Sequence, residues 1–546
     1  MQAYDQLAPA GRADLRTDTR YLWAAVVGFL AVHVTLAWIT RAPGIETGQD
    51  DALYVLLSRS LAHGEYRDVF LVGAPPSRGF PPGYPALLAA WQAVAGARFD
   101  ALVLLSIVCS TVALALTFAL VRKRFSSSTA LLCLAILAVN PYLVDVAGQV
   151  ATEAPYAMFS LLALWALTRT DASSSMVVLA GVAAIAAALT RTVGATLLIA
   201  LGIQWTLNRR LVSVPTLAIA VAVIVGLWTS WTATAAVPAF YLADAAFSAS
   251  GGIAHSLPRE LVYRAVHNVP TYLGVILPYL LPFPAVPGTV VDNVLGAAIT
   301  TGGLAAGIGV FARRWRPAAL YLVLYGALLA LWPWQVSRYV VPVLYLAVPA
   351  VLIGSGWLTR RFGASWERRT VLALGFVLAL NGTLRTARML QIRRDCARGT
   401  TPPSPTCVHP NQASFFAALD YVGKYTPSDA IYVSAKPATL FYYTGRRSIW
   451  FRTAVAQDSA SFVPFLVRSG AEYVLLASLQ ASEPQLANLL RVNCTAFSLV
   501  ESFPPRTYLF RLRSGALQSD EMSCRALADY RQANIGQDFS LGPWPP

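Results

Sequence analysis

Charged residues are scarce in this sequence. Only 13% of its 546 residues are Asp, Glu, Lys or Arg, 56% are hydrophobic, and the mean hydropathy is +0.54. Because soluble domains carry about 25% charged residues, this composition excludes an ordinary soluble protein. The chain also lacks clear repeat halves and charged residues in the middle of its apolar runs. Both features are typical of secondary transporters, so their absence disfavours a transporter.

Several ligand-binding patterns are missing too. The six cysteines form no Cys-x-x-Cys spacing, and no Asp-x-Asp pair occurs. The net charge of +15 is not accompanied by a basic and aromatic patch, so we predict no nucleic-acid partner. We expect no cofactor. One alternative stays open, a divalent metal held by Asp50, Asp51 and Glu153, because such cations bind carboxylate oxygens.

The chain contains many long apolar runs. A helix that crosses a bilayer needs about 20 mostly apolar residues. Eleven candidates lie at 21–40, 101–121, 128–144, 154–168, 175–190, 191–207, 212–231, 294–311, 317–333, 339–357 and 370–388. The segment 175–207 is too long for one span, so we read it as two helices that meet at an external turn; one long helix is the alternative. The first run lacks a small-residue cleavage site, and we expect it to remain as an anchor.

The short loops give the orientation. On one side of the predicted bundle they carry thirteen Lys and Arg residues against only Asp171 and Glu367. Such loops face the cytoplasm. With eleven spans and a cytoplasmic N-terminus, the C-terminus lies outside. We therefore expect a multi-pass protein of the inner (plasma) membrane with a periplasmic, or extracytoplasmic, C-terminal domain.

Polar residues concentrate on the outer side. Two long loops, 41–100 and 232–293, and a short one at 145–153 precede a C-terminal region with short apolar segments such as "AIYVSA", "AEYVLLAS" and "TYLFRLR". These segments read as strands, and "NQASFFAALDYVGKYTP" has helical spacing. The predicted fold class is mainly α: a membrane helical bundle with interfacial helices in its first outer loop. We divide the chain into a transmembrane domain, 1–388, and a small α/β domain, 389–546.

Four of the cysteines fall in this outer domain: Cys396, Cys407, Cys494 and Cys524. An oxidising compartment favours disulfides. Sequence alone allows three pairings, of which local spacing favours Cys396–Cys407 and Cys494–Cys524. A zinc site is the alternative.

An acidic pair, Asp50 and Asp51, follows the first apolar run. The next residues, "ALYVLLSRSLAHGEY", have leucines at helical spacing and predict a helix lying in the membrane interface with its apolar face down. A helix N-terminus favours negative charge, but one aspartate suffices as a cap. Further on, "SRGFPPGYPALLAAW", which holds Arg78 and Tyr84, predicts a rigid proline turn. That turn either packs over the carboxylates or is merely structural.

Three more ionisable residues stand at the outer ends of spans: Glu153, Arg191 and Arg338. Such groups at membrane depth are costly and usually functional, although near a span end they can also snorkel to water. Transfer of a sugar from a lipid phosphate needs cations to hold the charge that develops on phosphate. It needs at most one carboxylate base for the acceptor. The outer acids and arginines are of the right types for that chemistry.

These motifs resemble the GT-C membrane glycosyltransferases, in particular the protein O-mannosyltransferase and aminoarabinose transferase branch. Asp50, Asp51 and Tyr54 match the family's Asp–Glu pair and the aromatic residue three positions later, with Asp51 in place of Glu. "LTRTVGATLL" resembles a basic element that contacts the lipid phosphate, which would be the role of Arg191. "SRYVVPVLY" resembles the Arg-Tyr that begins a late span, here Arg338 and Tyr339.

The resemblance implies an inverting glycosyltransferase. Its donor would be a polyprenyl-phosphate sugar and its acceptor an extracytoplasmic protein, lipid or glycan. Asp50 would be the catalytic base, and the substrate-binding residues would be Asp51, Tyr54, Glu153, Arg191, Arg338 and Tyr339. The alternative functions are a flippase of lipid-linked sugars and a structural or sensor protein. Convergence of the acids and arginines on one outer cavity would favour the enzyme.

Overall fold

A computed structural model of the chain describes residues 19–45, 50–168, 174–207, 256–283, 294–394, 407–479, 483–513 and 521–533. The helices are α1 (Thr19–Ile39), α2 (Asp51–Ala62), α3 (Gly83–Ala95), α4 (Phe99–Arg124), α5 (Ser127–Ala138), α6 (Pro141–Ala147), α7 (Glu153–Leu167), α8 (Ser174–Thr190), α9 (Ala195–Leu207), α10 (Leu257–Thr271), α11 (Leu277–Leu280), α12 (Val294–Arg314), α13 (Arg316–Leu331), α14 (Leu344–Thr359), α15 (Ala364–Arg394), α16 (Pro410–Tyr425), α17 (Pro437–Thr444), α18 (Phe451–Val455), α19 (Phe462–Ser469), α20 (Glu483–Val492) and α21 (Glu521–Ala533). The strands are β1 (Tyr432–Ser434), β2 (Tyr473–Leu476), β3 (Phe497–Phe503) and β4 (Thr507–Leu512).

The protein is mainly helical and is an integral membrane protein. Among the described residues, five helical segments are long and apolar enough to cross a bilayer: α1, α4, α12, α15 and the segment Ser337–Phe362 that contains α14. The bent pair of α5 and α6 would be a sixth, and α7, α8, α9 and α13 are shorter apolar helices. The predicted span 212–231 lies outside the described residues, and the total of eleven spans stays a prediction.

Two breaks in the apolar helices have clear local causes. The predicted span 128–144 is not straight, because α5 and α6 meet at 62°. There the Asn140 side chain accepts from the first backbone N–H groups of α6, and Pro141 begins that helix. The predicted break in 175–207 is present: Arg191 has extended backbone, followed by a 3₁₀ turn, Thr192–Gly194. A Cβ at Gly194 would lie 2.6 Å from the Cα of Ala188, so this turn requires a glycine.

The second outer loop is more regular than its sequence suggested. Helices α10 and α11 are joined by a π-helical segment, Tyr272–Ile276, and pack against α12 and α13. Asn268 Nδ2 donates to the carbonyl oxygens of Leu329 and Trp332, at 3.2 and 2.7 Å. The prediction of a loop over the whole of 232–293 was therefore wrong. Among the described residues, Pro258 and Pro278 lie in the first turns of α10 and α11, where a missing backbone N–H costs little, and Pro270 lies inside α10.

A mixed sheet forms the centre of the C-terminal region. Its strand order is β1-β2-β4-β3, with β1 and β2 parallel and the other pairs antiparallel. The three predicted strands correspond to β1, β2 and β4, whereas β3 was missed. The predicted helix is α16, which buries Phe415, Phe416, Leu419 and Val422 against the sheet. The α/β prediction is confirmed. The division at 388/389 stays a prediction, and α15 runs across it to Arg394.

One of the predicted disulfides is present in the described residues. Cys494 and Cys524 are bonded, which ties the start of β3 to α21. Cys407 is also disulfide-bonded, but Cys396 lies outside the described residues, so that pairing stays a prediction.

Removing the Cys494–Cys524 bond is expected to destabilise the C-terminal domain. The bridge closes a loop of 30 residues, and disulfides of this kind contribute about 2–4 kcal/mol. We expect the double Cys494→Ala, Cys524→Ala variant to unfold at lower temperature than a Cys109→Ala control, whose thiol is free. Peptide mapping without reduction checks the pairing directly. Free thiols at both positions in the unreduced wild type would contradict it.

Hydrogen bonds join the C-terminal region to the first outer loop. Val72 donates to the Ser448 carbonyl and Ser448 donates to the Phe70 carbonyl, both at 3.0 Å. The Tyr443 hydroxyl donates to the carbonyl of Ile45 at 2.8 Å. Helices α3 and α17 pack on α2, whose residues are buried except for Arg59, Leu61 and Ala62. The position of α2 in the membrane interface stays a prediction, and the structure adds that the C-terminal domain packs on this helix.

Candidate active site

Four ionisable side chains form one connected chain of ion pairs. Glu153 Oε1 accepts from Arg191 Nη1 and from Arg338 Nε. Arg338 Nη1 also points to Asp50 Oδ2, at 3.4 Å. Arg191 Nη1 donates a further hydrogen bond, of 2.8 Å, to the hydroxyl of Thr152. The acids and arginines found in the sequence therefore converge on one place.

Each of these residues stands at the end of an apolar helix. Asp50 is the N-cap of α2, and Glu153 is the first residue of α7. Arg191 occupies the break between α8 and α9, and Arg338 lies in a 3₁₀ turn before α14. Helix ends leave backbone groups unpaired and interrupt the apolar surface. The breaks thus bring charged side chains to the membrane boundary without placing them in the middle of a span.

Exposure differs sharply along the chain of ion pairs. The Glu153 side chain is 1% exposed, Arg191 14%, Arg338 18% and Asp50 42%. Burying a charge is costly unless it is paired, and Glu153 is paired with both arginines. Apart from these contacts and those with Thr152 and Asp50, the two guanidinium groups make no hydrogen bond within the part of the chain that the structure describes. Glu153 therefore holds two cations in place, while Asp50 is the acid that a substrate can reach.

Asp51 has a different environment from Asp50. It is 3% exposed, and its Oδ1 accepts the backbone N–H of Ala52 at 2.9 Å. Tyr54, one helical turn along, is buried and packs edge-to-face against Phe80 and Tyr84, at centroid distances of 5.8 and 5.1 Å. The Asp51 side chain is thus engaged with the first turn of α2.

The remaining predicted residues lie around this centre. Tyr339 places its ring 5.9 Å from the Arg191 guanidinium, and its carbonyl accepts the Tyr325 hydroxyl at 2.6 Å. Tyr84 is fully buried at the start of α3, and Arg78 is half-buried in the loop between α2 and α3. The proline turn also contacts α8 closely, because a Cβ at Gly83 would lie 2.6 Å from the backbone of Leu189.

A pocket opens beside Asp50. The residues that the C-terminal domain contributes to its wall were not predicted from the sequence. The volume of the pocket is about 130 Å³, smaller than the roughly 300–1,000 Å³ of sites that enclose a drug-sized molecule. The first outer loop contributes Asp50 and Phe80, and the C-terminal domain contributes Lys436, Trp450 and Arg452. A signal for Lys436 was available, since it directly follows a predicted strand, and strand ends in α/β domains carry ligand-binding residues.

Within the described residues, Asp50, Asp51 and Glu153 are not grouped as metal ligands. In the described ranges, no three His, Cys, Asp or Glu side chains gather as cation ligands. Glu153, the third member of the carboxylate set considered above, directs its Oε1 to two guanidinium groups. Those positive charges oppose a cation at the same oxygen.

Comparisons with known proteins agree with this architecture. Residues 80–231 match the family model of dolichyl-phosphate-mannose-protein mannosyltransferase. No curated protein sequence is similar enough to count as a relative.

Solved structures extend the likeness over nearly the whole chain. ArnT from Cupriavidus metallidurans, bound to undecaprenyl phosphate, is similar over 91% of this chain and 99% of its own, with a TM-score of 0.53 and 17% identity. The Archaeoglobus fulgidus oligosaccharyltransferase, tethered to an acceptor peptide, is similar over 93% of this chain and 75% of its own, with a TM-score of 0.55 and 13% identity. The fold is that of the GT-C membrane glycosyltransferases, and the resemblance read from the sequence is confirmed.

Proposed function

We propose that the protein transfers a sugar from a polyprenyl-phosphate-linked donor to an acceptor at the outer surface of the membrane. The observation that carries this proposal is the connected set of Asp50, Arg338, Glu153 and Arg191 beside an open pocket. It combines two cations for a phosphate with one accessible carboxylate for an acceptor. Undecaprenyl phosphate in the ArnT structure supports a lipid phosphate as the carrier.

The proposed chemistry is an inverting displacement. The acceptor oxygen attacks the anomeric carbon while the Asp50 carboxylate takes its proton. The bond between that carbon and the phosphate oxygen breaks, and its electron pair leaves with the phosphate. Arg191 and Arg338 hold the charge that accumulates there, as preorganised donors do. No general acid is required, because a phosphate is already a good leaving group.

The site faces the outside of the inner membrane in this proposal. The ends of α4, α12 and α14 opposite the site carry runs of Lys and Arg, among them Arg122–Arg124, Arg313 and Arg360. Basic loops stay in the cytoplasm, which supports an extracytoplasmic position for Asp50 and the C-terminal domain. The lipid tail would enter between spans, and the acceptor would arrive from the aqueous side.

The decisive experiment follows the fate of the donor. Purified protein would be mixed with a labelled undecaprenyl-phosphate sugar and membranes from a strain that lacks the gene. We expect release of undecaprenyl phosphate together with label in an envelope glycoprotein, lipid or glycan. The flippase alternative predicts movement of the intact donor across vesicle membranes with no release. Intact donor in every reaction would rule out the transferase.

A further inference from the structure

The pocket beside Asp50 is built by two separated parts of the chain. One wall is the start of α2 and the loop after it, and the other is the turn between β1 and α17 together with the start of α18. Backbone hydrogen bonds at Ser448 join the two walls. Because these bonds join one wall to the other, the C-terminal domain is a structural part of the site.

Lys436 is one of two cations in this second wall, the other being Arg452. It is the N-cap residue of α17 and lies half-buried. Within the described residues its ammonium group makes no hydrogen bond and no ion pair. Burial lowers the pKa of that group, and the nearby Asp50 and Asp51 carboxylates partly oppose the change. An ammonium so placed has three N–H donors to offer to a bound molecule.

Nearby protein groups do not take up these donors. Glu483, another carboxylate felt by Lys436, is buried and accepts the backbone N–H groups of Ala477 and Leu479. Asp50 directs Oδ2 toward Arg338. Asp50 therefore contacts Arg338 and also lines the pocket that contains Lys436.

We propose that this pocket is the acceptor site and that Lys436 binds an oxyanion, phosphate or carboxylate, of an anionic acceptor. The inference rests on the proposed function and specifies its substrate class. With the donor phosphate at Arg191 and Arg338, a base at Asp50 must also reach the acceptor, and Asp50 lines this pocket whereas the two arginines do not. The ammonium then anchors the acceptor, and Phe80 and Trp450 provide aromatic walls suited to a sugar or another flat apolar face.

The test distinguishes an oxyanion that belongs to the acceptor from one that belongs to the donor. In full-length protein, we expect Lys436→Ala to raise by about ten- to a hundredfold the amount of deletion-strain membranes needed for half-maximal transfer, the range of a charge-assisted hydrogen bond. Binding of undecaprenyl phosphate, measured by native mass spectrometry, should not change. Lys436→Arg should restore much of the acceptor use. The matched control is Arg468→Ala, which removes an exposed cation from the same domain.

Each other outcome contradicts the assignment in a distinct way. If Lys436→Ala binds undecaprenyl phosphate more weakly than the wild type, Lys436 binds the phosphate of the donor and not an oxyanion of the acceptor. Unchanged transfer and unchanged binding would show that Lys436 has no part in the site. Thermal unfolding of Lys436→Gln and Lys436→Ala distinguishes a folding defect, which would affect both measurements. If the wild type itself releases no undecaprenyl phosphate, the proposed function fails instead.

Discussion

Replacing Asp50 with asparagine is expected to lower sugar transfer by about 10²–10⁴-fold, the usual contribution of a general base. The substitution keeps the shape of the side chain and its capacity to accept a hydrogen bond, but the amide cannot take a proton at neutral pH. Asp50 is 42% exposed, and its contact with Arg338 is long, at 3.4 Å. The fold therefore depends little on this carboxylate, whereas the proposed reaction depends on it directly.

The matched control for Asp50→Asn is Asp51→Asn. Asp51 is buried and accepts a backbone N–H in the first turn of α2, so its loss should act mainly on stability or donor binding. Both variants would be purified in detergent and assayed with an undecaprenyl-phosphate sugar, with thermal unfolding and lipid binding measured in parallel. Normal turnover of Asp50→Asn together with an inactive Asp51→Asn would reverse the two roles. Normal turnover of both variants would show that neither carboxylate is the general base, and the proposed reaction would be wrong.

Much of this site could be predicted because its charged residues stand next to or within apolar segments, where charge is unusual. A carboxylate pair after an apolar run, or an arginine inside one, is costly at membrane depth and is visible without any structure. The contacts between them are not visible. Arg338 meets Glu153 across 185 positions and Asp50 across 288, and nothing in the local pattern specifies such pairings.

The C-terminal wall was missed for a related physical reason. Helix α2 has the amphipathic pattern of an interfacial helix, but that pattern gives only the polarity of a face and not what covers it. Backbone bonds between Phe70, Val72 and Ser448 bring the sheet domain over that face. Because backbone groups carry no side-chain signature, the docking that places Lys436 beside Asp50 lies beyond what sequence reasoning detects.

The pairing around Glu153 also changes how the two arginines are understood. Two guanidinium groups on one side of a low-dielectric boundary repel each other, yet both contact a single buried carboxylate oxygen. Glu153 thus offsets the repulsion and fixes the spacing of the cations. A donor phosphate that binds there meets two preorganised fork-shaped groups, which suit phosphate better than two flexible ammonium groups.

Replacing either Arg338 or Arg191 with alanine is accordingly expected to weaken use of the lipid donor by about ten- to a hundredfold, since a charge-assisted contact is worth roughly 1.5–3 kcal/mol. Arg338→Ala should have the larger effect, because Arg338 contacts both Glu153 and Asp50 whereas Arg191 contacts only Glu153 among the acids. Either variant leaves Glu153 with one guanidinium partner. The large penalty of a buried charge with no partner is thereby avoided, and the folded protein should persist.

The measurement is the affinity for undecaprenyl phosphate, followed by transfer at several donor concentrations. Arg361→Ala serves as the control, because Arg361 is an exposed arginine in the basic turn after α14, at the opposite end from the site. Arg338→Lys should recover little, since one ammonium group cannot reproduce the planar contacts to Glu153 and Asp50. If Arg191→Ala and Arg338→Ala bind the lipid phosphate and turn over like the wild type, the arginines serve only helix packing or membrane topology. Loss of thermal stability in proportion to loss of lipid binding would likewise make them structural, and the donor phosphate would have to be held elsewhere.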